Sequence, residues 1–499
     1  MSIAMNPPLR TMLMSPLAAL LASCVVGPSF HPPTPQAPAA WSASASPLAA
    51  AQASQVTFQS ADDAWWATFN DAELTSLIGR AEAANLDAKQ AVARIAEARA
   101  QRDIAAAAGW PSLGVNAGAQ VNRLSESTPT GALFSKVGQF PGLGGVSIPN
   151  PYDQYQLGFD ASWEVDLFGR VRRSVEAAKA DTAASVEDSR GVLIAALGEV
   201  ARNYIDLRGA QAKRRVVVET LATEQDLLNL AEQRRQAGLS SDVDVVRAAA
   251  EVSSAQAQLP VIDHLISVDI NALSKLLALD PGALKPELDA AQPPPLVPPR
   301  VPIGLPADLA RRRPDIRAAE ARLHAATARI GVATGDLYPK LTLSAGGGYQ
   351  AQSLATLTSW ASRFLNAGPT VELPIFEGGR LRATVRLQDA EAKAAALAYQ
   401  STVLSALHEV DDALSACGDD QARDRALAET VARNRDAVDL ARQRYASGVG
   451  NFIDVLDADR SRQQNAVLLA DENTAISTDL IVLYKALGGG WTAGAPGAP

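Results

Sequence analysis

The 499-residue chain has few of the residues that most often carry chemistry: 2 cysteines and 4 histidines. His31, His264, His324 and His408 lie far apart in sequence, and neither an HExxH nor a paired-cysteine spacing occurs. "LHEVDD" at Leu407 lacks the second histidine of a metal site, and the glycine clusters "GLGG" and "AGGGY" lack the strand-to-helix setting of a phosphate loop. An enzyme is therefore not expected. Basic blocks are also scarce. The formal net charge is −9, and the densest basic run is Arg311 to Arg313, which reads as the solvated start of a helix. Nucleic acid is excluded as a partner, because phosphate binding needs concentrated positive charge. All 4 methionines precede Ser15. No apolar run reaches the roughly 18 residues of a transmembrane helix, so any element spanning a membrane must be β. What the chain does have is a 47% apolar fraction, compatible with a large buried core.

The N-terminus reads as a secretion signal: Arg10, the short apolar stretch "TMLMSPLAALLAS", then small residues before Cys24. "LASC", Leu21 to Cys24, resembles the bacterial lipobox, which implies cleavage before Cys24 and a covalent lipid on it. A thiol within an ordinary signal peptide is the alternative. Cys417 would then be the one cysteine left to the mature chain beside a lipidated Cys24, so no intrachain disulfide is expected. The Pro/Ala/Ser-rich stretch after Cys24 cannot bury enough apolar area to fold alone and reads as an extended tether.

The chain repeats itself. "FGR" ends at Arg170 and "FEGGR" at Arg380, 210 residues apart. "RRQAGLSSDVDVVRAAAEVSSAQAQL" from Arg234 and "RYASGVGNFIDVLDADRSRQQNAVLL" from Arg444 stand at the same offset, as do "KLLALDPG" from Lys275 and "KALGGGW" from Lys485. "AGWPSLGVNAGAQ" and "GDLYPKLTLSAGGGYQ" match through Pro111 and Pro339, with an offset of 228. The first half thus carries about 18 extra residues between its strands, in "STPTGALFSKVGQFPGLGGVSIPNP", and an insertion tolerated there marks a loop tip. The organisation read from this is a signal at 1–23, a tether at 24–60, a first repeat at 61–281, a Pro-rich linker at 282–306, a second repeat at 307–490 and a tail at 491–499.

Each half reads helix, strand, loop, strand, very long helix, turn, long helix. Leu193, Leu197, Val200, Tyr204 and Leu207 form a four-three seam suited to coiled-coil packing, repeated by Val403, Leu407, Val410, Leu414 and Cys417. A proline-free helix from Val171 to Gln236 would be roughly 100 Å long and must lie along partners for its whole length. Four segments alternate strictly. Leu113, Val115, Ala117, Ala119 and Val121 oppose Ser112, Asn116, Gln120 and Asn122. In "YQLGFDASWEVDLFGR", from Tyr155 to Arg170, the odd positions through Leu167 are apolar and the even ones carry Asp160, Glu164 and Asp166. Leu341, Leu343, Ala345 and Tyr349 oppose Thr342, Ser344 and Gln350; Val371, Leu373 and Ile375 in "GPTVELPIFEGGR" oppose Thr370 and Glu372. Trp110 and Tyr338 stand at two strand entries, where an aromatic belt would lie.

Four strands leave two open edges and cannot cross lipid alone, because edge amides and carbonyls would go unpaired in hydrocarbon. Three copies would close about twelve strands around an aqueous lumen. The apolar face then meets lipid, and Asp160, Glu164, Asp166 and Glu372 face the lumen or its periplasmic mouth.

With these motifs, together with "WEVDLFGR" at Trp163, "RRPDIRAAEARL" at Arg312, "LYPKLTLSAGG" at Leu337 and "RYASGVGNFIDVLDADR" at Arg444, the chain resembles the TolC-like outer-membrane efflux channels, closest to the lipoprotein branch typified by OprM and NodT. The resemblance implies a mainly α fold with membrane β: a homotrimeric 12-stranded barrel, four strands per chain, continued by a long periplasmic α-helical barrel. It implies a passive exit duct, lipid-anchored in the outer membrane with most of its mass in the periplasm, and no cofactor beyond the lipid on Cys24. It implies as partners a periplasmic adaptor and an inner-membrane pump, commonly of the resistance-nodulation-division type.

The resemblance also carries site residues at the periplasmic helical tips. Gly238 and Gly448 match the tip turns. Asp454 and Asp457 match acidic rings at the constriction, which would favour cations, and Ile453 matches a position that narrows the pore. Tyr445 matches a tyrosine that latches one hairpin to an acidic residue on the neighbouring one, for which Asp244 is the match. Gly450 departs from the pattern, since a charged residue often stands there and adds to the latch. Solvated helix-start acids are the alternative for Asp454, Asp457 and Asp459, and seam packing is the alternative for Tyr445. A lipid-anchored periplasmic coiled-coil adaptor or scaffold without a pore would explain the lipobox and the helices, but not four alternating segments at matched places.

Overall fold

The computed structural model describes residues 25–34, 37–42, 55–57, 64–129, 131–132, 149–295, 297–298 and 300–491. Cys24, the signal, most of the insertion between the first two long strands and all but Trp491 of the tail lie outside the described residues. In chain order the elements are β1 (Gln55–Thr57), α1 (Ala72–Ala84), α2 (Leu86–Ala107), β2 (Ser112–Asn122), β3 (Tyr152–Val165), α3 (Arg170–Gln236), α4 (Asp242–Leu276), β4 (Arg300–Pro302), α5 (Pro314–Gly335), β5 (Lys340–Ala351), β6 (Arg363–Glu372), α6 (Arg380–Ala446) and α7 (Phe452–Ala486), joined in places by short helical turns. They divide into two compact units, the first comprising residues 1–31, 98–181 and 323–395, the second 32–97, 182–322 and 396–499.

The first unit holds an antiparallel sheet in the order β2-β3-β5-β6. Its register aligns the alternation of all four strands. Val115, Phe159, Gly347 and Leu365 share one cross-strand row, and Leu113, Ala161, Ala345 and Ala367 another. On the opposite face Ser112, Ser162, Ser344 and Gly368 align, as do Gly114, Asp160, Gly346 and Asn366. A one-residue slip of any strand would mix these faces, so the pattern that defines the strands also fixes their register. Asn116 donates to Asp160 at 2.9 Å, adding a polar tie on the second face.

Two of the strand readings shift. β3 stops at Val165 because the next residues start a helix: the Arg172 backbone N–H donates to Asp166 Oδ2 at 2.9 Å, and Gly169 turns the chain at φ +84°. Asp166 is therefore a helix-capping carboxylate and not a strand residue. β6 begins at Arg363 and ends at Glu372, so Leu373 and Ile375 fall beyond it. Gly368 and Pro369 look like a strand start in sequence, yet both lie inside β6, where Pro369 stands in register with Leu343.

In the second unit α1 packs its apolar stripe, Leu74, Leu77, Ile78 and Ala81, into the main core with Trp65, Phe69 and Tyr484. Asp71 fixes that helix twice, accepting from the Leu74 backbone N–H at 2.9 Å and from the Tyr204 hydroxyl at 2.9 Å. The expected seams are buried: Leu197, Val200, Tyr204 and Leu207 on α3, and Val403, Val410, Leu414 and Cys417 on α6. Burial pushes the Cys417 thiol up to about 12. α3 and α6 are each 67 residues long, and α4 and α7 each 35.

The described parts of the tether form no helix, and they are seated. β1 pairs in parallel with β4, and the buried Trp41 indole donates to the Gly304 carbonyl at 3.2 Å. In the first unit Phe30 stacks on His324 at 4.4 Å. A stretch too polar to build its own core can still lie on a core built by other elements.

Candidate functional site at the hairpin tips

The two turns of the second unit are built alike. After α3, Gly238 stands at φ +71°, its N–H bonded to the Arg235 carbonyl at 2.9 Å and the Leu239 N–H to Arg234 at 2.8 Å. After α6, Gly448 stands at φ +79°, its N–H bonded to the Tyr445 carbonyl at 3.0 Å and the Val449 N–H to Arg444 at 3.0 Å. Each bond recurs 210 residues later. A side chain at either glycine would strain a left-handed backbone that closes the end of a 67-residue helix.

The returning helices start differently. Ser241 caps α4 with a capping box in which Asp244 Oδ2 accepts from the Ser241 backbone N–H at 3.4 Å. Asn451 caps α7 without a side-chain bond, and the Asp454 N–H bonds to the Asn451 carbonyl at 3.2 Å. Ile453, Asp454 and Asp457 share the exposed face of α7, with Ile453 43% exposed, while Val455, Leu456 and Asp459 are buried on the opposite face. Asp457 reaches Arg460 at 3.6 Å. The three constriction candidates thus share one exposed face of the helix, with Asp457 also reached by Arg460.

Tyr445 is 4% exposed and packs in a small apolar cluster with Leu227, Ala231, Ala248, Phe452, Val455 and Leu456. Its ring lies 5.1 Å from that of Phe452, and its hydroxyl has no hydrogen-bond partner among the described residues. Within one chain Asp244 instead serves its own helix start.

Sequence reasoning missed the groups that tie the hairpins together. The Arg234 guanidinium lies 4.6 Å above the Tyr445 ring centre and donates through Nη1 to the Ala446 carbonyl at 3.1 Å. Arg460 on α7 bonds Glu251 on α4. Beneath them, Asp459 accepts from Arg462 at 2.9 and 3.3 Å and faces Glu224 of α3. Glu224 is 1% exposed and its Oε2 has no partner; burial, then the Asp459 carboxyl, push its pKa up to about 8. The one available signal was the 210-residue offset that pairs Arg234 with Arg444. Nothing in "TLATEQDLL" separates Glu224 from a solvated residue.

Among the described residues no group of three or more His, Cys, Asp or Glu is placed to hold a metal, and no helix is long and apolar enough to cross a membrane. A sheet with one apolar face, joined in one chain to paired long hairpins, has the makeup of an outer-membrane channel protein. Residues 77–279 and 305–489 match the family described as "Outer membrane efflux protein", and the chain belongs to that family. It is similar to outer membrane protein OprJ of Pseudomonas aeruginosa, 34% identical over 479 residues that cover 96% of this chain and 95% of that one. It is likewise similar to nodulation protein T of Rhizobium leguminosarum bv. viciae, 31% identical over 487 residues covering 96% and 93%. Among solved structures, that of the outer-membrane channel OprN superposes with a TM-score of 0.84 at 32% identity, over 94% of this chain and 100% of that one. The expectation of a TolC-like outer-membrane efflux channel of the OprM/NodT type is met. Such channels are transporters and not enzymes.

Proposed function

We propose that this chain is the outer-membrane exit duct of a tripartite efflux system, passively conducting substrates that an inner-membrane pump delivers through a periplasmic adaptor. The observation that carries this is the four-stranded sheet with one apolar face and open edges at β2 and β6. Each unpaired backbone group at such an edge would cost several kcal/mol in hydrocarbon, so the sheet calls for copies of itself. A homotrimer supplies a twelve-stranded barrel whose polar face, with Asp160 and Glu164, lines the pore. The paired hairpins of three chains continue it as a helical barrel.

The chain is read as an internal duplication over 61–281 and 307–490. The equal lengths of α3 and α6, the equal lengths of α4 and α7 and the matched tip turns support this. So do two acids at the same offset, Asp269 and Asp479, whose pKa values burial pushes up to about 6 and about 7. Cys24 carries the lipid that anchors the tether at the membrane. At the tips, Ile453, Asp454 and Asp457 form the constriction, and Tyr445 latches to Asp244 of a neighbouring hairpin; the shared exposed face of the three constriction residues supports the first of these roles. The pump is of the resistance-nodulation-division type.

Purified protein reconstituted in planar bilayers tests this reading. Stepwise, cation-selective conductance is expected. A protein that inserts without conducting under any applied voltage or salt would refute the duct.

A further inference from the structure

We propose that Arg234 is a tie that holds the two hairpin tips of one subunit together, reaching from the first hairpin onto the last turn of the long helix of the second. The proposal rests on the reading of these tips as the gate.

Arg234 stands in the last turn of α3, and everything its head group touches belongs to the other hairpin. Its planar cation covers the face of Tyr445, a ring itself buried against Phe452. Such a contact gains strength when desolvated. Nη1 meets the carbonyl of Ala446, the last residue of α6, where the helix end carries partial negative charge. The guanidinium therefore caps a helix to which it does not belong, while Nε is buried without a partner. Its repeat counterpart Arg444 is exposed, so the tie runs one way, from the first hairpin to the second.

The Gly450 N–H bonds to the Arg444 carbonyl at 3.0 Å. A Cβ added there would sit 3.0 Å from Arg444 Cβ and 3.1 Å from both the Arg444 carbonyl carbon and the Tyr445 nitrogen. Those are mostly backbone atoms that cannot swing aside. Arg234 reaches the same tip from across the hairpin interface. For the second tip to swing away from the first hairpin as a unit, both Arg234 contacts must break along with the Arg460–Glu251 pair.

The test uses full-length protein extracted from outer membranes in mild detergent, as wild type, Arg234→Lys and Arg234→Gln, with two readouts. In hydrogen exchange over residues 444–456, Arg234→Gln should speed exchange of the Val449 and Gly450 amides on the order of tenfold, the size of one such cation–ring contact. Arg234→Lys should fall between, because lysine keeps the charge and a donor but not the stacking plane. In planar bilayers, single-channel conductance should rise in the same order. Equal exchange in all three proteins overturns the tie, as does a lysine variant no better than glutamine. Conductance that is equal in all three proteins, combined with the expected exchange series, would instead overturn the gate reading and leave the tie standing.

Discussion

Replacing Glu224 with glutamine should abolish most of the pH dependence of local opening around Glu224 and Asp459 between about pH 5 and pH 8. Glu224 is 1% exposed and Asp459 is fully buried, and Arg462 is spent on Asp459, so the Glu224 carboxyl faces another carboxyl without a donor of its own. Glu251 adds repulsion and Arg462 only partly offsets it. Folded, the group titrates at about 8; opened to water, it returns toward 4.5. Between those values the closed state binds a proton that the open state releases. Its stabilising contribution is therefore complete below the lower value and lost as pH rises through the upper one. One such proton changes stability by at most about 1.4 kcal/mol per pH unit, hence by up to about 4 kcal/mol from pH 5 to pH 8. Glutamine keeps the shape and can donate to Asp459 at every pH. Opening free energies from hydrogen exchange, corrected for intrinsic rates, should fall with rising pH in segments 218–232 and 454–466 of the wild type and stay flat in Glu224→Gln. The same slope in both proteins, or wild-type protection that increases with pH, would refute this.

Other outcomes follow from the same geometry. Asp244→Ala combined with Tyr445→Phe should raise cell permeability to large hydrophilic antibiotics, and unchanged susceptibility in a well-expressed double mutant would count against the latch. Asp454→Asn with Asp457→Asn should cut cation over anion selectivity, read from the reversal potential across a salt gradient; a preserved reversal potential would remove these residues from the pore. Leu207→Ala, in the buried seam of α3, should cost roughly 2–5 kcal/mol and lower the thermal midpoint of the solubilised protein by several degrees. Cys417, buried and with its thiol held protonated, should resist maleimide at neutral pH until denaturant is added, and rapid labelling of the native protein would show the seam to be open.

Periodicity made the fold legible where neighbours in sequence share an environment. The strands at 112–122 and 340–351 and the seam from Leu197 to Leu207 follow from alternation and heptad-like spacing, and the turns at Gly238 and Gly448 from the family resemblance. The strand ends did not, because Asp166 continues the alternation in sequence yet is taken by the start of the next helix, and nothing in the sequence shows that β6 begins upstream of Pro369. The seating of Trp41 against Gly304 was hidden for a similar reason, since composition reports whether a segment can build a core and not whether it can lie on one. At the tips, the helix-start reading fits Asp454 but not Asp459. Three acids within six residues look equivalent in sequence, and only packing sends Asp459 inward to Glu224 while Asp454 and Asp457 stay out.

The central claim is that three copies of this chain share one membrane barrel, and native mass spectrometry of protein extracted from outer membranes in mild detergent tests it most directly. A trimer whose subunits begin at an acylated Cys24 is the predicted result. A monomer or dimer released without detergent would contradict the shared barrel and restore the pore-free scaffold.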